Sequence, residues 1–210
     1  MNLLLHPGYF LNVANFVAIA TNDVCWEVND NYQKQSYRNR TYIAADTGKL
    51  MLNIPIKHIG KGATKQKYKD VKIDNDYPWQ RQHWRTLETA YRTSAFFEFY
   101  EDEIRPLYSK KHLFLLDFNL ETTACICDFL QLDMPILKTT TYEKTPTDRI
   151  DGRFLIQAKQ KINFKQESYF QVFNDRNGFI ENCSILDLLF NEGTNTLSYL
   201  QQHVIDRTNA

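Results

Sequence analysis

The chain has 210 residues, and its 25 lysines and arginines are matched by 25 aspartates and glutamates. A net charge near zero excludes a dedicated nucleic-acid binder, whose electrostatic footprint is strongly basic. A chain this long buries roughly two-thirds to three-quarters of its unfolded surface, so it needs neither disulfides nor a structural metal to fold.

The apolar run Leu3–Leu5 reads as a short buried strand. Residues 9–20 follow with apolar side chains at 10, 13, 16, 17 and 20, a helical spacing, and residues 24–28 read as a second strand. Leu50, Leu52, Ile54 and Ile56 alternate with other residues, the period of a half-buried strand. With Tyr42, Ile43 and the turn Asp46-Thr47-Gly48-Lys49 they predict a hairpin. Residues 57–72 carry six lysines with Gly60 and Gly62, a basic loop that runs into a strand over residues 68–73.

From Pro78 the pattern turns helical, with Pro78 suited to the first helical position. Trp79, His83, Trp84, Leu87, Ala90, Tyr91 and Ser94 share one face and Arg81, Arg85, Glu88 and Arg92 cluster opposite, an amphipathic helix. A second helix is expected over residues 95–108, and a third from an Asn119 cap to about residue 132. Residues 148–164 show no clear period and read as loop plus a short strand. Residues 169–173 and 179–180 flank Asn177-Gly178, a hairpin pattern. Ser184 caps a helix over residues 185–191, with Asp187 in a short-armed capping box and Gly193 as its stop, and residues 196–204 form a last short helix. The expected fold is mixed α/β: one compact domain over residues 1–210, a mixed sheet of hairpins and short strands packed by about four to six helices.

The densest polar cluster is Tyr32-Gln33-Lys34-Gln35-Ser36-Tyr37-Arg38-Asn39-Arg40. If extended, it turns Lys34, Ser36, Arg38 and Arg40 to one side. Guanidinium forks and an ammonium there suit phosphate or carboxylate, which predicts an anion-binding floor; a charged edge strand in solvent is the plainer reading. His83 lies mid-way along an apolar helix face, where a histidine is either hydrogen-bonded in the core or tuned for acid–base work. His6 ends a buried strand, the place where clefts open in α/β sheets, and is a general base or a turn residue. Glu27 and Asp30 end the second strand and are placed to orient a cation, to act as a base, or to form an ordinary salt bridge.

Cys25, Cys125, Cys127 and Cys183 form no CxxC pair and no disulfide framework. They read as reduced thiols in a cytoplasmic protein. The N-terminal segment lacks a basic region, its apolar run is broken by His6, Pro7 and Gly8, and no run approaches a membrane span. No dinucleotide, phosphate-loop, zinc-protease or serine-hydrolase motif is present.

Several blocks together resemble the WbqC-like family in order and spacing. They are the opening Leu5-His6-Pro7-Gly8-Tyr9-Phe10, the 31–40 cluster, Leu52-Asn53-Ile54-Pro55-Ile56, His83-Trp84 with Tyr91 and Phe96-Phe97, Leu116-Asp117-Phe118-Asn119, and the run from Phe179 to Gly193. Family members often open His-Gln-Pro, where this chain has His6-Pro7. The resemblance implies a place in bacterial surface-polysaccharide (O-antigen) assembly and the transfer of glycine or another acyl group to an amino sugar. It raises Lys34, Asn39, Arg40, His83 and Trp84 to site candidates, and Lys34, Asn39, Arg40 and Trp84 join Tyr32 and Arg38 of the polar cluster as substrate-binding candidates. His83, Glu27 and His6 become catalytic candidates. The implied partner is a sugar or nucleotide-sugar; no metal ligand set, cofactor or membrane span is read from the sequence, and an oligomer is compatible with it. The alternative is a non-catalytic assembly factor that binds a nucleotide-sugar or a protein.

Overall fold

Strand β1, Leu3–Leu5, is buried throughout and pairs in parallel with β2, Val24–Trp26, setting Leu4 opposite Cys25. Two further parallel strands are added, β5 (Leu137–Lys138) beside β2 and β6 (Ile150–Asp151) on the other side of β1, giving the order β5-β2-β1-β6. Unbroken apolar runs such as Leu-Leu-Leu suit central parallel strands covered on both faces. The computed structural model describes residues 1–57, 65–160 and 162–206.

Between β1 and β2 runs helix α1, Val13–Thr21. It starts later than the apolar spacing suggests, because residues 9–11 are buried by a turn. The Tyr9 amide donates to the Tyr37 carbonyl at 2.9 Å, Phe10 has a φ of +35°, and Asn12 caps the helix through its side chain. Gly8 permits that close approach, since a Cβ there would sit 2.9 Å from the Tyr37 carbonyl oxygen.

The expected hairpin forms from β3, Arg40–Ala45, and β4, Gly48–Asn53, with Gly48 at φ +99° completing the turn. It is a separate antiparallel pair, not part of the parallel sheet. Residues 68–73 are not a strand. Tyr68–Asp70 is a 3-10 turn, because the buried Tyr68 hydroxyl reaches back to the Pro7 carbonyl at 2.8 Å. The glycine-rich stretch of the basic loop, residues 58–64, lies outside the described residues.

Helix α2, Trp79–Tyr91, buries the face its periodicity predicts, with Pro78 one position earlier than expected, as its cap. The next helix ends early: α3 spans Phe97–Ile104, and Pro106 turns the chain into a 3-10 segment, Arg105–Tyr108. Helix α4, Leu115–Phe129, begins before Asn119. Asn119 is therefore no cap; its carboxamide donates to the Arg38 carbonyl at 2.6 Å and to the Tyr68 hydroxyl at 2.5 Å.

The Asn177-Gly178 hairpin is absent. Residues Asn174–Asn177 make a single helical turn, α5, and the Gln171 side chain takes the role of a paired strand. It donates to the Ile180 carbonyl at 3.0 Å and accepts from the Ile180 amide at 2.8 Å. Helix α6, Ile185–Glu192, is capped by Ser184 as expected, and α7 spans Thr196–Gln201. Asp187 makes no capping box. It accepts from the hydroxyls of Tyr91 (2.6 Å) and Tyr169 (2.5 Å) and from the Gln171 carboxamide (2.7 Å). One hydrophobic cluster joins side chains from Leu3 to Ile205.

Gly193 ends α6 at φ +56°, and a Cβ there would lie 2.6 Å from the Phe96 ring. Gly193→Ala is expected to cost roughly 1–3 kcal/mol through backbone strain and ring displacement. Gly178→Ala, at φ +65° in open space, isolates the backbone share. Urea midpoints of the two variants give the comparison, and equal losses would exclude the ring contact.

Candidate functional site

The chain runs outward from β1 to β2 to β5, then returns to the far side of β1 as β6. Strand order therefore reverses between β1 and β6. In open parallel sheets a crevice opens at such a point, beyond the carboxyl ends of the strands. His6 follows β1, Glu27 follows β2, Thr139 follows β5, and Arg153 follows β6 after Gly152. A cleft of ≈ 320 Å³ lies here, lined among others by His6, Asp30, Arg38, Tyr142, Asp151 and Arg153.

Two ion pairs furnish it. Asp30 Oδ2 accepts from His6 Nε2 and from Arg38 Nη2, each at 3.0 Å, and Asp30 Oδ1 accepts from the Asn31 amide at 2.6 Å. Arg38 is fully buried, lies over the Tyr68 ring at 5.2 Å, and otherwise reaches only Ser36 Oγ at 3.4 Å. The second pair is Arg153 on Asp151, with contacts of 2.8 Å and 2.6 Å. Two further Arg153 N–H groups go to the carbonyls of Glu143 (2.8 Å) and Lys144 (3.0 Å). Arg153 also lies over the Tyr142 ring at 5.4 Å and so ties this loop to the cleft.

Burial, reinforced by the Arg38 charge, lowers the His6 pKa to about 4. His6 is thus neutral at pH 7, with Nε2–H donating to Asp30 and the lone pair on Nδ1. Burial pulls the Asp30 carboxyl up, but the His6 hydrogen bond, the Arg38 charge and the Asn31 amide pull it down by more. Asp30 therefore stays a carboxylate. Among the described residues, His6 Nδ1, Arg38 Nε and Glu27 Oε2 are buried atoms without a hydrogen-bond partner, and all three belong to this network.

The other candidates are distributed around the fold. Glu27 sits behind the cleft: its Oε1 accepts from the Asn29 amide (2.7 Å) and Thr139 Oγ1 (3.0 Å), and its Oε2 lies 4.0 Å from Arg153. His83 is a core histidine held by the Tyr9 hydroxyl at 2.9 Å, and burial lowers its pKa to about 4. Trp84 packs on Phe97 with ring centres 5.9 Å apart. Neither lines the cleft. Residues 31–40 are not extended but bend through two turns, with Gln35 at φ +61°. Alternate side chains therefore do not share a face: Ser36 and Arg38 are buried, Lys34 is exposed, and Arg40 opens β3. Asn39 anchors the hairpin through the Asn53 side chain and the Ile54 carbonyl, both at 3.0 Å. Tyr32 is half-buried beside Tyr68, and burial pushes its hydroxyl up to about 12.

Tyr142, Asp151 and Arg153 were not read from the sequence. One trace was visible: Arg153 stands alone before the apolar run Phe154-Leu155-Ile156. An arginine drawn into a core in this way must find partners.

Residues 6–166, which contain every cleft residue named above, match the sequence model of a described family. The chain belongs to the WbqC-like protein family. This WbqC-like protein is also 28% identical to the uncharacterized protein Rv1507c of Mycobacterium tuberculosis (strain ATCC 25618 / H37Rv), over 95% of this chain and 94% of that protein. No solved structure matches it significantly. No helix among the described residues of the WbqC-like protein is long and apolar enough to cross a membrane, and its four cysteines are free.

Proposed function

We propose that the cleft is the acceptor site of a transferase that moves an acyl or aminoacyl group, such as glycyl, onto the amine of an amino sugar. The setting is surface-polysaccharide assembly in the cytoplasm, where free cysteines stay reduced. The His6–Asp30–Arg38 chain at the carboxyl edge of the sheet carries this reading. The amine nitrogen attacks the donor carbonyl, its proton passes to His6 Nδ1, and the donor's leaving group departs with the bonding pair. Asp30 holds the tautomer and stabilises the imidazolium that forms, and Arg38 holds Asp30 ionised.

The test is a mass-spectrometric assay for N-acylated amino sugar, with acyl and aminoacyl donors supplied in a panel. His6→Gln is expected to lower turnover by about 10²–10⁴-fold while the melting temperature holds. Unchanged turnover would remove His6 from the chemistry. A second reading, a non-catalytic assembly factor that binds a sugar or a protein, is favoured by one observation. The His6 pKa of about 4 lies well below the value that suits a base at neutral pH. That reading predicts saturable binding without product.

A further inference from the structure

Both ion pairs of the cleft are turned the same way. The Asp151 side chain is 43% exposed, whereas its partner Arg153 is 9% exposed. Asp30 is 9% exposed over an Arg38 that is 0% exposed. In each pair the carboxylate is the more exposed partner, and Asp151 is the one charged group of the two pairs that is well exposed. His6 beside these four groups is neutral, and of the cations in the 31–40 segment only Arg38 lines the cleft.

Hydrogen-bond accounting points the same way. Four of the five Arg153 N–H groups are committed, to Asp151 or to the carbonyls of Glu143 and Lys144, and the unpartnered Arg38 Nε is buried. Asp151 keeps spare acceptor capacity: Oδ1 takes the Arg153 amide and Nε, but Oδ2 takes only Nη2. Those three contacts, at 3.0, 2.8 and 2.6 Å, also fix the carboxylate in place before any ligand arrives. A phosphate entering here would meet the exposed, like-charged Asp151 carboxylate. An ammonium or amine would meet a fixed acceptor.

We propose that this cleft selects a hydrogen-bond-donating, amine-bearing sugar that carries no nucleoside diphosphate, and that Asp151 is the residue that selects the amine. The inference rests on the acceptor-site reading above and narrows it. Where the sequence predicts an anion-binding floor, the exposed charge of the cleft is the Asp151 carboxylate.

Isothermal titration of the full chain with glucosamine, N-acetylglucosamine and uridine-diphosphate-linked glucosamine tests it. The free amine is expected to bind about ten-fold more tightly than the N-acetyl sugar, the scale of one charge-assisted hydrogen bond. The nucleotide-linked sugar is expected to bind no more tightly than glucosamine. Asp151→Asn is expected to weaken glucosamine binding about ten-fold more than N-acetylglucosamine binding and so to erase the amine preference. Tighter binding of the nucleotide-linked sugar, or an amine preference that survives in Asp151→Asn, would overturn the inference and leave the acceptor site standing. Failure of all three sugars to bind would remove the acceptor site itself, and the inference with it. Should Asp151→Asn not fold, the three-ligand comparison on the unaltered chain still decides.

Discussion

Asp187→Ala is expected to destabilise the WbqC-like protein by about 3–5 kcal/mol, the scale expected when three buried donors each lose an acceptor. The carboxylate is fully buried and receives three side-chain donors, from Tyr91, Tyr169 and Gln171. Burial pushes its carboxyl up, and those donors with the Ala44 backbone offset part of the rise. Deleting it strands two hydroxyls and one N–H of the Gln171 carboxamide in the core, and each lost partner carries its own desolvation cost. It also unties α6 from α2 and from the segment that Gln171 holds in place of a strand. Asp187→Asn keeps the shape and one acceptor oxygen, so a smaller loss is expected. Urea unfolding gives both values. An alanine variant within about 1 kcal/mol of the parent would show that the network adds nothing to stability.

The second large effect is acid sensitivity. His6 and His83 both have folded pKa values of about 4, lowered from 6.5 mainly by burial. Below 6.5 the unfolded chain takes up protons at these positions and the folded chain does not. Stability is therefore full above pH 6.5 and falls as pH drops toward 4. From pH 7.5 to 4.5 the two groups together are expected to remove about 5 kcal/mol. The urea midpoint should fall across that window, and His83→Gln should abolish about half of the fall. A midpoint that stays flat between these pH values would mean that the histidines are not neutral in the folded protein.

The parts of the fold legible in the sequence are those with a local cause. The triple leucine of β1, the amphipathic face of α2, the Gly48 turn and the Ser184 cap all rest on periodicity or on one residue's backbone chemistry. The misread parts depend on distant partners. Asn119 looks like a cap until the Arg38 carbonyl and the Tyr68 hydroxyl are beside it. Asn177-Gly178 looks like a hairpin until Gln171 pairs with Ile180 by its side chain.

The candidate site divides in the same way. His6 was legible because it ends an apolar strand, and Arg38 because it lies in a dense polar cluster. Asp30 was visible only as a neighbour of that cluster. Asp151 and Arg153 became meaningful once β6 was laid beside β1, and no local pattern encodes that pairing. His83 shows the reverse case. Its place on an apolar face was legible, and the Tyr9 hydroxyl that accounts for it lies 74 positions away.

In the proposed function the neutral His6, held by Asp30 at the carboxyl edge of the parallel sheet, is the heart of a sugar-binding cleft. Nitrogen-15 NMR of labelled protein, titrated in pH and then with glucosamine, tests it most directly. The expected spectrum is that of an Nε2–H imidazole that stays neutral down to about pH 4 and whose resonances shift as the sugar saturates. A His6 that titrates near 6.5 and is unmoved by the sugar would contradict it.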